Sequence, residues 1–415
     1  MKNFLSRRRI PPKLLLISIA FALPVGVLTT LLVRNTNEGI HFAQMELRGT
    51  EFLRPLIELN DLIPRHALAA LRLGGGETGQ GAVLDQLAGQ IERAFDNLDA
   101  ADARLGVALQ FTNDGLAKRQ RSHARPAKVR SKWQSLRALA STATAAESTK
   151  LHIGLAEDVA TMISHCGDTS NLILDPDLDS YYLMDASLLK LPHGQEHLTK
   201  TLLFAEEALR QGTLRKGDQV QFAVLAAFMR EEDLQETRTS LETAFNEDSA
   251  FHGVSPSLKE LEPILGNLLK AMQGIVDVTE KSAAGGETTR EVFLATGLKA
   301  KDTNLALTRA TLGELDKLLR IRISDFEKRR LMEIAISSVA LLLALALVWF
   351  IAINITRPLQ AAVQLVEQVA ARDLTVSIET QAHDEVGKIC RALNAMTEQL
   401  RTSIQSIGDN AQSVA

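Results

Sequence analysis

Residues 14–33 and 334–356 carry no charged side chain, and these two runs constrain the chain more than any other feature. The first spans twenty residues. At about 1.5 Å per residue it would make roughly 30 Å of helix, which matches the hydrocarbon core of a bilayer. Pro24 and Gly26 fall inside it, and membrane helices tolerate both better than soluble ones do. Lys2, Arg7, Arg8, Arg9 and Lys13 precede it without an acidic residue, so the positive-inside bias places that end in the cytoplasm. Ala20, Phe21 and Ala22 offer a small-x-small cleavage pattern, but further uncharged, mostly apolar residues follow, and an uncleaved anchor is the preferred reading. Lys328, Arg329 and Arg330 stand before the second run against that bias; a long translocated domain overrides local charge. The expected topology has a cytoplasmic tail (1–13), a first span (14–33), an outer domain (34–333), a second span (334–356), and both termini in the cytoplasm. In a Gram-negative cell the outer domain would lie in the periplasm, anchored in the inner membrane and in contact with its lipid.

Two heptad stretches follow the second run. Ile355, Leu359, Ala362, Val366 and Val369 repeat at alternating spacings of four and three, and Val386, Ile389, Leu393, Met396 and Leu400 at three and four. A connector of about a dozen residues between them suits a parallel pair of helices, because it has to run back along the helix length. The order Ile355-Thr356-Arg357-Pro358-Leu359, Arg372-Asp373-Leu374-Thr375, Asp384-Glu385-Val386-Gly387 and Ala392-Leu393-Asn394-Ala395-Met396, next to a membrane run, resembles the HAMP domain of bacterial chemoreceptors and sensor kinases. The resemblance covers residues 357–407. It implies a signal-converting module in which Pro358, Asp384, Glu385 and Gly387 take part, within a homodimer. One position departs: the family usually has glycine before the Asp-Leu of the connector, and here Arg372 must end the helix without a residue that takes positive φ cheaply. Glu385 has two readings, an exposed acid stabilised by the first turn of a helix or a residue that helps pack the connector against the helix pair; the resemblance favours the second.

Composition narrows the rest. The net charge is -4, aromatics are 4% and no stretch alternates apolar with polar residues for long, so the fold class expected is all-α. Near-balanced charge gives no reason to expect nucleic acid as a partner. The two cysteines, Cys166 and Cys390, would lie on opposite sides of the membrane, which excludes an intrachain disulfide, and no thiolate metal site can be assembled from them.

The outer domain reads as long antiparallel helices. One stripe is Leu84, Leu87, Ile91, Ala94, Leu98, Ala101, Leu105 and Ala108; another is Leu151, Leu155, Val159, Met162, Cys166, Thr169 and Ile173. Leu305, Leu312, Leu315, Leu319 and Phe326 lead into the second run, as if one helix continued from the domain into the membrane. Breaks are expected at 74–79, near Pro126, at Asp175-Pro176, at Leu191-Pro192, around 212–217, near Pro256 and at Gly285-Gly286. That predicts seven or eight helices, arranged as two stacked bundles sharing long helices. In size and helix count this resembles the helical bimodular class of chemoreceptor sensor domains.

The most distinctive outer segment runs Asp175-Pro176-Asp177-Leu178-Asp179-Ser180-Tyr181-Tyr182-Leu183-Met184-Asp185. A calcium loop fails because Ser180 stands where glycine is needed and Ala186 where the bidentate glutamate belongs. A helix start fits better, with Asp175 as N-cap, Pro176 at the first helical position and acids at the positive helix end. The alternative is a ligand-contacting turn built from Asp175, Asp177, Asp179, Tyr181 and Tyr182. The stretch resembles segments in sensor regions of chemoreceptor-like proteins. His193 and His197 share a helix face but lack a third ligand, so solvated surface is expected there and no metal. The glycines of 74–81 lack the following Lys-Ser or Lys-Thr of a phosphate loop. No nucleophile elbow, kinase phosphoacceptor or nucleotide motif stands out, so no enzyme and no cofactor is expected.

Residues 400–407 continue helically into an Ala/Ser/Gln-containing tail that resembles the opening of a methyl-accepting chemoreceptor's cytoplasmic helix. The long signalling hairpin does not follow within these residues. The expectation is therefore the sensor, transmembrane and HAMP portion of a chemoreceptor, responding to an unknown small ligand or periplasmic binding protein. It would engage a chemotaxis kinase and coupling protein only if a downstream domain exists. The rival readings are the sensor half of a histidine kinase or cyclase, and a non-signalling membrane-anchored interaction protein.

Overall fold

The computed structural model describes residues 10–139, 144–210, 212–251, 255–379, 381 and 383–414; the basic residues at positions 2–9 lie outside the described residues. Every regular element among the described residues is helical. The chain divides into two compact units, residues 38–327, and residues 1–37 with 328–415.

The 38–327 unit opens within α1 (Ile10–Gly74) and closes within α11 (Arg290–Ala370). Between them lie α2 (Gln80–Leu105), α3 (Asn113–Lys118), α4 (Pro126–Leu139), α5 (Ala145–Thr169), α6 (Leu178–Met184), α7 (Leu191–Arg210), α8 (Lys216–Phe228), α9 (Thr237–Glu247) and α10 (Leu261–Ala283). Within this unit α1 and α11 are antiparallel. Their pairs step up one helix as they step down the other, Glu58 with Arg309 (2.6 Å) and Arg65 with Asp302 (2.7 Å), and Glu77 in the turn after α1 meets Arg290 at the start of α11 (2.6 Å).

Around that axis stand two groups of helices. In the first, α5 lies against α1 through His152, whose Nε2 is 2.7 Å from His66 Nδ1, and through Cys166, which donates to the Gly49 carbonyl at 3.4 Å. Buried Trp133 of α4 meets His66 edge-on and donates to Glu92 of α2 at 2.9 Å. Burial, with His152 and Arg137 nearby, pushes the His66 imidazole down to about 3. Gly49 is required for this contact, since a Cβ there would sit 2.4 Å from the Ser170 side chain. In the second group α7 follows α11: Gln195 donates to the Lys301 carbonyl at 2.9 Å and Asn304 to the Leu191 carbonyl at 3.1 Å. Phe222 of α8 meets Phe293 of α11, ring centroids 5.5 Å apart. The first group packs on α1 and the second on α11, the paired long helices that run through the unit. One continuous apolar core runs through both, from Phe52 to Leu319.

The breaks follow the chemistry that predicted them. Gly76 and Gly285 take φ of +97° and +73° just after α1 and α10, where a side chain would be strained. One expected break is absent. The chain does not stop at Leu191-Pro192; a π-helical turn, Asp185–Lys190, carries α6 into α7. Pro192 has no N–H to give the preceding turn, and the wider π spacing accommodates its ring without ending the helix. A second π turn, Met229–Glu236, joins α8 to α9. The predicted stripes are buried in their middles. Leu151 and Ile173 are exposed instead, and Leu109 replaces Ala108 in the core because α2 has already ended.

In the other unit, residues 18–33 of α1 and 334–356 of α11 hold most of their leucines outward, with Leu28 60% and Leu342 65% exposed. Both helices are long and apolar enough to cross a membrane. Large apolar side chains exposed over most of a helix's circumference are stable against lipid, not water. The unit ends in α12 (Glu385–Val414).

Candidate functional site

After the second apolar run α11 continues straight through Pro358, which lies half-buried inside the helix and does not start a new one. Its missing N–H leaves one carbonyl of the preceding turn without its helical partner. The helix ends in a Schellman arrangement, with the Arg372 N–H on Val369 O and the Asp373 N–H on Gln368 O, both 3.0 Å. Arg372 itself takes φ +72°. The residue that replaces the family's usual glycine therefore adopts the glycine's conformation, at a cost of about 1 kcal/mol.

The connector is pinned at several points. Asp373 accepts from the backbone (3.0 Å) and hydroxyl (2.6 Å) of Thr375. Leu374, Val376 and Ile378 are half-buried while the residues between them are exposed. Asn394 of α12 clamps Ile378 from both sides, accepting its N–H at 2.9 Å and donating to its carbonyl at 2.8 Å. Asp384 is the N-cap of α12, its Oδ1 accepting the Gly387 N–H at 2.9 Å. Glu385 is exposed in the first turn and forms no hydrogen bond or salt bridge among the described residues. Gly387 is buried, as is Cys390, whose Sγ approaches the Pro358 carbonyl at 3.9 Å. The start of the second helix thus meets the start of the first, as in a parallel pair.

Packing within the single chain selects only part of the predicted heptads. Ala362, Leu365, Cys390 and Thr397 are buried, whereas Val366, Ile389, Met396 and Leu400 are 42–47% exposed. Each helix therefore has two apolar seams, one closed against its own partner helix and one open.

In the 38–327 unit the acidic segment is organised by a residue that the sequence reading passed over. Arg322 of α11 is 3% exposed and binds Glu46 of α1 (3.0 Å), Asp175 (2.7 Å) and Asp177 (2.6 Å). It also donates to the Ser180 hydroxyl. The helix start expected at Asp175-Pro176 is displaced. α6 begins at Leu178 with Asp177 at its N-cap, and Asp177 makes no side-chain cap bond because its carboxylate is turned to Arg322. Asp175 accepts the Asp177 N–H (3.1 Å) and the Ser180 hydroxyl (3.0 Å), a turn preceding the helix. Asp175 and Asp179 are 7% and 1% exposed and face the interior. Tyr181 and Tyr182 are half-buried and pack edge to face at 5.4 Å. Burial raises the Glu46 carboxyl to about 9, with Asp175 adding to the effect and Arg322 opposing it; burial likewise raises Asp175 and Asp179.

Glu46 and Arg322 were legible in retrospect. Ala43, Glu46, Thr50 and Leu53 form a three-four stripe, as do Leu315, Leu319, Arg322 and Phe326, so each charge occupies a core slot. Lys301 is a similar case, buried against Gln195 Oε1 (2.6 Å) and Thr199 Oγ1 (3.0 Å) and lowered to about 8 by burial despite Asp61. His193 is exposed as expected. His197 is not solvated surface: it is half-buried, 2.9 Å from Asp233 and stacked on Phe228.

A pinned connector between two parallel helices, continuous with an apolar helix, defines a HAMP module, and the family model described as HAMP domain matches residues 350–402. The chain therefore contains a HAMP domain. A segment of 82 residues is 39% identical to methyl-accepting chemotaxis protein McpQ of Pseudomonas putida, covering 19% of this chain and 13% of that protein. A segment of 72 residues is 36% identical to methyl-accepting chemotaxis protein McpC of Bacillus subtilis, covering 17% and 11%. The chain therefore matches far less than two thirds of either relative's length. No solved structure matches it.

Proposed function

We propose that this chain is a two-pass transmembrane receptor of the methyl-accepting chemotaxis type, and that it carries a periplasmic stimulus to its HAMP module by conformational change without doing chemistry itself. The observation that carries this reading is α11. The same helix holds Arg322 inside the outer unit, the uncharged run, and the first HAMP helix. A stimulus that favours one packing of the outer unit would act on that helix, and it can bias the receptor only by its differential affinity for two states. Both termini are assigned to the cytoplasm by the basic N-terminal residues. The open seam of Val366, Ile389, Met396 and Leu400 supports a homodimer, in which two helix pairs close a four-helix bundle. The helix beyond residue 402 would pass the signal on towards a chemotaxis kinase and its coupling protein.

Single cysteines placed along residues 386–400, in a chain with Cys166 and Cys390 replaced by alanine, test the reading by disulfide crosslinking in membranes. Strong crosslinks at Ile389, Met396 and Leu400 and weak ones between them are expected. Uniform failure, or yields without heptad periodicity, would overturn it.

A further inference from the structure

The group around Arg322 has an electrostatic composition that a purely structural brace does not need. Four carboxyl groups, Glu46, Asp175, Asp177 and Asp179, stand about one guanidinium, and Glu46, Asp175 and Asp179 are all more than nine-tenths buried. Were all four ionised, the interior would hold three uncompensated negative charges, which is far costlier than retaining protons there. Glu46 Oε1, Asp175 Oδ2 and Asp179 Oδ2 have no hydrogen-bond partner among the described residues. A buried carboxylate oxygen without a donor is poorly stabilised as an anion.

The hydrogen bonds distinguish which group keeps a proton. Asp175 Oδ1 accepts three donors, the Asp177 N–H, the Ser180 hydroxyl and Arg322, which favour its charged form more than the single bond to Glu46 favours that group's. Asp177 lies against the Arg322 Nε and retains some solvent contact. Glu46 has a single bond, from Arg322 Nη1 to Oε2, and Asp175 and Asp177 repel its charge. The charged groups facing Glu46 are therefore Arg322 from α11 and Asp175 and Asp177 from the turn before α6. Asp179 of α6 completes the set with one local bond, from the Ser180 N–H.

We propose that this cluster is a proton-binding site in which Glu46 is the titrating group, and that the proton is a stimulus of the outer unit. With its proton on, Glu46 is a neutral partner to Arg322, and the guanidinium serves Asp175 and Asp177. When Glu46 releases that proton to solvent on the alkaline side, a further anion enters the set and competes for the same guanidinium. The contact joining α1, α11 and the 175–180 turn then loosens. Glu46 and Arg322 lie on the two helices that also contain the uncharged runs, so a change between them is placed where a receptor would read it. The sensory role rests on the receptor reading above; the proton site does not.

The test uses the full chain in lipid nanodiscs. Infrared difference spectra, recorded between neutral pH and about pH 10, should show a protonated-carboxyl stretch in the wild type that disappears on the alkaline side. Glu46→Gln should lack that signal, and Asp179→Asn should keep it. In parallel, HAMP crosslink yields should respond to the same pH change in the wild type and not in Glu46→Gln. Absence of a protonated carboxyl at neutral pH, or a signal that survives in Glu46→Gln, overturns the site. A wild-type signal with pH-invariant but heptad-periodic crosslinks overturns the sensory role while leaving the receptor reading intact. Loss of the periodicity itself removes the receptor reading, and the infrared result still decides the proton site.

Discussion

Replacing Arg322 by methionine should be among the most damaging single substitutions in the 38–327 unit. The side chain is 3% exposed and is the shared cation for Glu46, Asp175 and Asp177. Methionine fills a similar volume, so the loss is electrostatic and not a cavity. Removing one partner from a buried ion network typically costs about 3–5 kcal/mol, because the remaining charges stay buried. For a unit of this size about 1 kcal/mol moves the melting temperature by about 2 °C, so a fall of about 6–10 °C is expected at neutral pH. The carboxyls can recover part of the loss by taking up protons, so the deficit should shrink as pH falls. Thermal unfolding of the full chain in nanodiscs, followed by circular dichroism, measures this. Arg320→Met is the control, since Arg320 is exposed two residues away and its replacement should change stability by no more than about 0.5 kcal/mol. If Arg322→Met melts within about 2 °C of that control, the carboxyls do not depend on the guanidinium and the reasoning fails.

Three further outcomes follow from other parts of the molecule. Arg372→Gly should stabilise the HAMP unit by about 0.5–1 kcal/mol, since φ +72° costs arginine more than glycine; a destabilised variant would mean that the side chain makes a contact of greater worth. Asn394→Ala should release the connector at a cost of about 1–2 kcal/mol and speed hydrogen exchange at the Ile378 amide, and unchanged exchange there would contradict the clamp. His66 is held at about 3 in the folded chain against 6.5 when unfolded, so its contribution is present above pH 6.5 and is lost as pH falls towards 3. Between pH 6.5 and pH 5 the wild type should lose about 2 kcal/mol that His66→Phe does not lose, measured by chemical denaturation at each pH.

What could be read in advance depended on whether a signal was periodic or tertiary. The helices and the HAMP pair were legible because apolar residues at three-four spacing have one physical meaning over long stretches. The helix-ending position of Arg372 was visible too, although only the structure shows arginine taking the left-handed conformation. The turn at Asp175 was misplaced by two residues because local cap chemistry competes with a long-range partner. Arg322 draws Asp177 away from the cap bond, and no local rule contains a residue so distant in sequence. Pro192 was read as a break because a proline ordinarily ends a helix; the π turn before it is a backbone adjustment without a composition of its own. Glu46 and Arg322 sit in otherwise apolar stripes, where a charge in a core slot is the more informative member although the periodicity rests on its apolar neighbours. The open seam of α12 became distinguishable from the closed one only when Cys390 and Thr397 were seen buried and Ile389 and Met396 exposed.

Signal transfer from the 38–327 unit to the HAMP module, as proposed, is tested most directly by crosslinking single cysteines along residues 386–400 in two otherwise identical chains. One carries wild-type Arg322 and the other Arg322→Met, a change far outside the HAMP residues. A heptad pattern in both, with the relative yields at Ile389, Met396 and Leu400 altered by the Arg322 substitution, is the predicted result. Identical patterns in the two chains would contradict transmission through α11.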